Sequence, residues 1–350
     1  MFSQDLENFI RIRGPAMNAY ERVMNRFEGK PVDRIPNACI LMAFAAKYIG
    51  VSYGQYVQDY RLLVEGNIRC CEDFGIDILS AISDPAREMA DLGAEIVFPT
   101  DGVPYSPHPY ITGAADLPKL RLVKPEDGRR MSDRLSAVRY YREKAGGTYP
   151  ILGWVEGAFA ESCDLHTVAS MMMSVVDDPD FSAELLEFCL QQAILFAEAQ
   201  IEAGADIVGI GDAAASLISR RMYRKWALPY EKRLIEAIHA KGAKAKLHIC
   251  GNIGHFLPDM LESGADMIDV DWMVDFKTAV DTFDDAAAAC GNFDPVSVLL
   301  KGTSPTVAEA VRNSVEQGRG NTFIAAGCEV PLETPPENLR MVYQTILHHS

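Results

Sequence analysis

One short sequence pattern recurs four times along this chain and constrains the fold more than any other feature. Each copy has an acidic residue, a glycine within three positions, an apolar residue, a second acidic residue and two apolar residues. The copies are residues 72–79, 91–97, 202–208 and 262–268. Glycine accepts the left-handed conformation that ends many helices, and a short apolar run after it is typical of a buried strand. The pattern predicts repeated helix-to-strand junctions, and Gly242 and Gly318 occupy similar places.

Short apolar runs alternate with longer helical stretches along most of the chain. The predicted strands are 38–43, 76–81, 150–155, 206–211, 244–249, 266–270, 288–292 and 322–326. The predicted helices lie near 56–74, 164–178, 181–203, 221–241, 253–263, 304–317 and 335–347. This alternation indicates βαβ units and a parallel sheet. Eight such units favour an α/β fold of the (β/α)8 TIM-barrel type, and a doubly wound open sheet is the alternative.

No linker rich in proline, glycine or serine and no low-complexity tract divides the 350 residues. We therefore expect one barrel domain over residues 1–350, in which residues 1–35 form an N-terminal helical extension. Residues 83–149 are rich in proline and glycine, which indicates a hairpin and loops inserted over one end of the barrel.

The charge balance excludes several classes of function. The chain has 33 Lys and Arg against 49 Asp and Glu, a formal net charge of −16. Nucleic-acid-binding proteins need a basic face and peripheral membrane proteins a basic amphipathic surface, so we expect no nucleic acid and no membrane as partner. Residues 1–15 lack the apolar core of a signal peptide, and the eight cysteines have no secretory context. These features predict a reduced, cytoplasmic protein.

Polar residues follow most of the predicted strands at the point where each strand ends. Glu156 follows strand 150–155 and Asp212 follows strand 206–211. The later strands end at Asp271 and Asn292. Sites in barrels and open α/β sheets lie at the carboxyl ends of the strands, so these side chains are candidates for acid–base or binding roles. For Glu156 and Asp212 the alternative is a carboxylate that caps the following helix.

The most specific element is His248-x-Cys250 at the end of strand 244–249. Residues i and i+2 of a strand point to the same side, so both side chains face one point. Cys328 ends the last strand and is able to approach that point across the barrel. One imidazole and two thiolates suit zinc, and three protein ligands leave the open position of a catalytic site. The alternative is that these cysteines fill the barrel core, as we expect of the remaining six.

Several segments together resemble the uroporphyrinogen decarboxylase superfamily, specifically its corrinoid-dependent methyltransferase branch. Residues 156–159, Glu-Gly-Ala-Phe, resemble a Glu-Gly-Pro-Phe element with alanine in place of proline. His248-Ile249-Cys250 and the distant Cys328 resemble the zinc motif of that branch. The other matching segments are 21–36, 211–219, 228–230, 291–295 and 326–331. The resemblance covers nearly the whole chain and implies the barrel fold.

The resemblance also implies a cofactor, a partner and roles for the site residues. It implies zinc (Zn2+) held by His248, Cys250 and Cys328, with Glu156 as the fourth ligand. The residues then expected to act on the substrate are Asp212, Asp271 and Asn292 in catalysis and Trp154 and Asn252 in substrate binding. The implied reaction moves a methyl group from a small-molecule methyl donor to the cobalt of a corrinoid (cobalamin) carried by a separate protein.

Two methyl-transfer reactions and two other functions remain open within this resemblance. The segments 153–165 and 269–275 favour O-demethylation of a methoxylated aromatic over transfer from methylcobamide to a thiol such as coenzyme M. Decarboxylation of a porphyrinogen is disfavoured, because residues 39–44 lack the arginines that would hold its carboxylates. A non-enzymatic zinc- or corrinoid-binding module is the last alternative, and a closed four-ligand zinc would favour it.

Overall fold

The computed structural model describes residues 16–349, in which seven strands form one parallel sheet in the order of the sequence. The strands are β1 Leu79–Ser80, β2 Ile151–Glu156, β3 Ile207–Gly211, β4 Lys244–His248, β5 Met267–Asp269, β6 Ala288–Phe293 and β7 Phe323–Ala326. Each strand pairs with the next one in the chain, and the register sets Gly211 beside His248 and Asp269 beside Cys290. All carboxyl ends therefore lie at the same end of the sheet.

A short extended segment near the N-terminus closes the sheet into a TIM-barrel-like ring. The backbone N–H of Ala38 donates to Ile324 in β7, and the N–H of Asp77 before β1 donates to Asn37. The predicted strand 38–43 is wrong in extent, because only Asn37 forms a strand bridge and a helix begins at Ala43. The N–H groups of Asn37 and Cys39 donate to side-chain oxygens and are therefore lost to a strand ladder.

The helices surround the sheet and alternate with its strands. The α-helices are Ala19–Phe27, Ala43–Tyr48, Tyr53–Tyr56, Tyr60–Phe74, Arg87–Asp91, Arg129–Ala145, Ala158–His166, Val168–Asp177, Pro179–Ala203, Arg220–Trp226, Leu228–Ala240, Leu257–Leu261, Phe276–Phe283, Ser304–Gln317 and Pro336–His349. Short 3-10 turns lie at Ala114–Lys119, Ala213–Leu217 and Gly254–Phe256, and a π-helical turn lies at Pro295–Leu300. Among the described residues, no helix is both long enough and apolar enough to cross a membrane.

Two predicted helices are each divided in the structure. The helix predicted over 164–178 is broken at Thr167, whose φ of 72° no α-helix accommodates. The helix predicted over 221–241 is divided at Ala227, and the second helix begins with Leu228-Pro229, where proline is favoured in a first turn.

The segment 83–149 contains more regular structure than its composition indicates. It contains two isolated bridges, an antiparallel one between Val97 and Tyr105 and a parallel one between Gly146 and Tyr149, and the helix Arg129–Ala145 lies in its second half. That helix packs against β2 and three neighbouring helices, Tyr60–Phe74, Arg87–Asp91 and Pro179–Ala203, in the outer layer of the barrel. In the predicted extension 1–35, the structure contains the helix Ala19–Phe27, and residues 1–15 lie outside the described part of the chain.

The recurring sequence pattern has a structural explanation. Its glycine has a positive φ in all four copies, between 59° and 116°, as predicted. In three copies the aspartate after the glycine anchors a neighbouring segment, because Asp77, Asp206 and Asp266 accept the N–H of Asn37, Ile151 and Ala245. Gly318 does not share this conformation, since its φ is −74° and the backbone continues extended.

Candidate metal centre

The structure brings His248, Cys250 and Cys328 together at the carboxyl end of the barrel. One ligand atom from each residue lies within 4.8 Å of the other two. His248 is the last residue of β4, Cys250 lies two residues beyond it, and Cys328 lies two residues beyond the end of β7. The imidazole is buried and both thiols are half-buried, so the group remains open towards the barrel mouth. Among the described residues, this is the one group of three or more His, Cys, Asp or Glu side chains with metal-binding geometry.

A buried carboxylate fixes the orientation of His248. Asp269 Oδ2 accepts from His248 Nδ1 at 2.7 Å, which leaves Nε2 as the free ring nitrogen. Lys246 Nζ lies 3.1 Å from the other Asp269 oxygen, and its side chain is 1% exposed. Burial lowers the pKa of His248, but the hydrogen bond to Asp269 and the nearby thiol raise it to about 10. Sequence reasoning missed Asp269, because its approach to His248 depends on the register between β4 and β5.

The two thiols interact, and their pKa values shift in opposite directions. The hydrogen bond from Cys328 lowers the pKa of Cys250, against the effect of burial. The same bond, followed by burial, raises the pKa of Cys328. This arrangement fits a site where a soft metal ion displaces a proton from two neighbouring sulfur atoms.

Asp271 and Asn292 hold the loops that carry the ligands. Asp271 accepts the N–H of Gly251 at 2.9 Å and the N–H of Met273 at 3.1 Å. Asn292 donates through Nδ2 to the carbonyl oxygens of Asp271 and Val274, at 3.2 and 2.7 Å. These bonds support positioning roles for both residues, and the catalytic roles predicted for them stay predictions.

Trp154 and Glu156, both on β2, lie beside the three ligand residues without joining them. The Trp154 ring centroid is 5.9 Å from that of His248, and its side chain is buried. Glu156 is absent from the group of ligand atoms, since its Oε1 accepts from Arg87 Nη2 at 2.8 Å. Its predicted role as the fourth metal ligand therefore has no direct geometric support, whereas Trp154 is placed as a wall of the site.

Asp212 and Asn252 lie in the loops that follow β3 and β4. Asp212 is buried and accepts the N–H of Ala160 at 2.7 Å, in the first turn of the helix Ala158–His166. The alternative of a carboxylate that caps the following helix is wrong for Asp212, because the turn Ala213–Leu217 has no side-chain cap. Burial raises the pKa of Asp212 to about 7. Asn252 is exposed at the mouth of the barrel, in the loop that follows Cys250.

Sequence reasoning also missed several buried charged side chains near the ligands. Arg87 and Glu88 begin a short helix after β1, and Glu161 lies in the first turn of the helix after β2. Glu329 follows Cys328, and burial raises its pKa to about 7 against the opposing charge of His248. Only the fold shows that Arg87 and Glu88 contact Glu156 at the end of β2.

Comparison with known proteins identifies relatives along nearly the whole chain. Residues 18–349 match the family described as Uroporphyrinogen decarboxylase (URO-D). The chain is 29% identical over 334 residues to the methylcobamide:CoM methyltransferase MtbA of Methanosarcina acetivorans, covering 93% of this chain and 96% of that protein. It is 26% identical over 342 residues to the uroporphyrinogen decarboxylase of Trichlorobacter lovleyi, covering 93% and 97%. Relatives of both activities therefore share the fold.

A solved structure shows the same architecture. A methyltransferase from Methanosarcina mazei superposes with a TM-score of 0.86 at 23% sequence identity, covering 94% of this chain and 98% of that one. This likeness establishes the TIM-barrel-like fold, while the chemistry depends on the residues at the barrel mouth.

Proposed function

This chain belongs to the uroporphyrinogen decarboxylase family, and on that premise we propose that it is a zinc-dependent, corrinoid-dependent methyltransferase. The observation that carries the proposal is the meeting of His248, Cys250 and Cys328 at the barrel mouth. Both enzymatic activities among the relatives use this fold, so the residues at the mouth must distinguish them.

The donor set fits a zinc ion. One imidazole nitrogen and two thiol sulfurs are the ligands of catalytic zinc sites that keep one open position. His248 would bind through Nε2, because Asp269 engages its other nitrogen. When bound, zinc would supply Lewis acidity, which lowers the pKa of a thiol or polarises an ether oxygen. To bind zinc as a fourth ligand, Glu156 would have to give up its hydrogen bond from Arg87. We propose that Glu156 binds zinc only when no substrate occupies the open position.

The chain's own residues keep the site rigid and partly dry. Asp269 holds the imidazole, and Asp271 ties the loop after β4 to the loop after β5. Trp154 covers one side of the ligands with an apolar ring, and Asn252 is exposed at the open side. A methyl group presented at this opening is accessible to a large cofactor held by another protein, and in-line displacement at its carbon needs that alignment.

Decarboxylation of a porphyrinogen is the weaker alternative. The sequence 39–44 contains no arginine, and the nearest one before it, Arg34, forms a buried ion pair with Asp77 at 2.6 Å. No cationic clamp for several carboxylates is therefore evident on the segment that closes the barrel. Two thiols and an imidazole have no evident role in such a reaction.

Two methyl-transfer reactions are compatible with the site. The relatives named methylcobamide:CoM methyltransferase favour transfer from a methylcobamide to a thiol. The aromatic side chains at the mouth, Trp154 beside His248 and the 45% exposed Trp272, favour a methoxylated aromatic as methyl donor. We place the thiol reaction first, because both relatives are similar over more than nine-tenths of the chain. In either reaction a separate protein would carry the corrinoid. The cytoplasmic location stays a prediction.

The experiment that tests the proposal is a pair of methyl-transfer assays on zinc-loaded protein. One assay supplies methylcobalamin with 2-mercaptoethanol and follows loss of the methyl-cobalt absorbance. The other supplies a methoxylated aromatic with Co(I) cobalamin and follows the reverse change. Turnover in one assay, abolished in Cys250→Ala and retained in Cys290→Ala, supports the proposal. Absence of turnover in both, with zinc present, contradicts it.

A further inference from the structure

Four buried charged side chains lie at the barrel mouth, and three of them, Arg87, Glu88 and Glu161, have no role in the proposed chemistry. We name them the acidic pocket: Arg87, Glu88, Glu156 and Glu161, exposed by 0%, 1%, 7% and 2%. They come from the helix after β1, the end of β2 and the helix that follows it. Because these segments all lie at the carboxyl ends of strands, the acidic pocket is on the same end of the barrel as the metal ligands.

The acidic pocket has three carboxyl groups and one guanidinium group. Arg87 Nη2 lies 2.8 Å from Glu156 Oε1 and 3.5 Å from Glu88 Oε2. Glu161 has no such partner: neither of its carboxylate oxygens has a hydrogen bond within the described chain, and Glu88 Oε2 also has none. After burial, the charges of Glu88, Asp164 and Glu156 raise the pKa of Glu161. An unpaired buried carboxyl is costly, so this group is ready for a ligand that donates hydrogen bonds or carries positive charge.

The acidic pocket and the metal centre adjoin each other at Gly211. A Cβ atom on Gly211 would lie 3.1 Å from Glu156 Oε2 and 3.0 Å from Trp154 Nε1. Gly211 pairs in register with His248, so Glu156 faces the strand that carries the metal ligands. The charge of Glu156 also acts on Cys250. A small molecule bound by its heteroatom at the metal is therefore able to place its other end near these carboxyls.

Each cation near these carboxyls already contacts at least one carboxylate. Arg87 contacts two carboxylates, Lys246 lies 3.1 Å from Asp269, and Arg130 forms an ion pair with Asp84. An anionic group on a substrate would add a further negative charge to a buried, acid-rich region without gaining an unpaired cation. An ammonium group would instead donate to the free oxygens of Glu161 and Glu88, and its charge would lower the raised pKa of Glu161 and favour the ionised carboxylate.

We propose that the acidic pocket binds the charged end of the small substrate and that this end is a cation, an ammonium group. The inference rests on the proposed function, because it assumes that the heteroatom of the substrate binds at the metal centre. A cationic substrate would also distinguish this chain from enzymes whose thiol substrate is an anion. Arg87 Nε and Nη1, which lack acceptors within the described residues, remain available for a neutral oxygen on the same molecule.

The test compares three thiols that differ in charge, bound to protein carrying Co2+ at the metal centre. The probes are 2-aminoethanethiol, 2-mercaptoethanol and 2-mercaptoethanesulfonate, and the readout is the thiolate-to-cobalt charge-transfer absorbance. We expect the ammonium thiol to bind about tenfold more tightly than the neutral thiol, and the sulfonate to bind most weakly. Glu161→Gln removes the carboxylate and should reduce the ratio between the first two thiols about tenfold.

Glu236→Gln is the matched control, since it removes the same charge from an exposed position on a barrel helix. Comparing ratios between variants cancels the intrinsic differences in acidity among the thiols. The ligand-field bands of Co2+ show whether each variant retains its metal centre, and Glu88→Gln replaces Glu161→Gln if that variant loses them. Tightest binding of the sulfonate, or equal ratios in wild type and Glu161→Gln, overturns the inference alone. Binding of no thiol to the cobalt-loaded protein overturns the proposed thiol chemistry as well.

Discussion

Replacement of Asp269 by asparagine separates positioning of the metal ligand from simple support of the fold. Asp269 is 5% exposed and holds two cationic or donor groups, His248 Nδ1 at 2.7 Å and Lys246 Nζ at 3.1 Å. Asn keeps the shape but removes the charge. Loss of a partner for a buried cation costs about 3–5 kcal/mol, and loss of the carboxylate behind a metal-binding histidine lowers metal affinity about 10–100-fold.

Two measurements check this prediction. Competition with a chromophoric chelator gives the zinc affinity, and urea unfolding of the metal-free protein gives the stability. Asp266→Asn is the control, because Asp266 also forms an ion pair, with Lys244 at 2.7 Å. Asp266 directly precedes β5, whereas Asp269 is the last residue of that strand and lies at the metal ligands. The control should lose stability and keep its zinc affinity. A zinc affinity for Asp269→Asn within about twofold of wild type would refute the positioning role, since even the low end of the expected loss is about tenfold.

Three further changes test the account of the fold. Burial raises the pKa of Asp212 from 3.8 to about 7, so between these pH values the folded chain holds a proton that the unfolded chain releases. The free energy of unfolding that Asp212 contributes should therefore fall as the pH rises from about 4 to about 7. In urea unfolding at a series of pH values, Asp212→Asn should show a weaker dependence of stability on pH. Asp77→Asn leaves the buried Arg34, now 2.6 Å from Asp77, without its carboxylate partner, whereas Arg22 keeps Asp33 at 2.6 Å; the change should cost about 3–5 kcal/mol by the same assay. Gly204→Ala should cost about 1–3 kcal/mol in thermal unfolding, because φ is 116° and a Cβ would lie 2.7 Å from Arg142 Cγ; an unchanged midpoint would contradict it.

The alternation of strands and helices was largely predictable because it depends on local patterns. The glycine of each repeated junction adopts the left-handed conformation that its position indicates, and seven of the predicted strands overlap a strand of the sheet. The helix breaks at Thr167 and Ala227 were not evident, since both lie inside continuous helical patterns. The first strand was overestimated because side-chain oxygens take the N–H groups of Asn37 and Cys39.

The candidate site was predictable only where its residues lie on a single strand or match a family motif. His248 and Cys250 share a strand end, and the resemblance adds Cys328 from the last strand. Asp269 contacts His248 across two strands, so its role depends on a register that the sequence does not display. The acidic pocket likewise forms from three separate segments, and the meeting of its carboxyl groups is a property of the folded chain.

The zinc content of purified protein tests the central claim most directly. Wild-type protein, Cys328→Ala and Cys189→Ala are each reconstituted with zinc, freed of excess metal and analysed by elemental analysis; Cys189 is a buried cysteine outside the ligand group. The account predicts about one zinc per chain in wild type and in Cys189→Ala, and a marked loss in Cys328→Ala. No zinc in the wild type, or full zinc in Cys328→Ala, would contradict it.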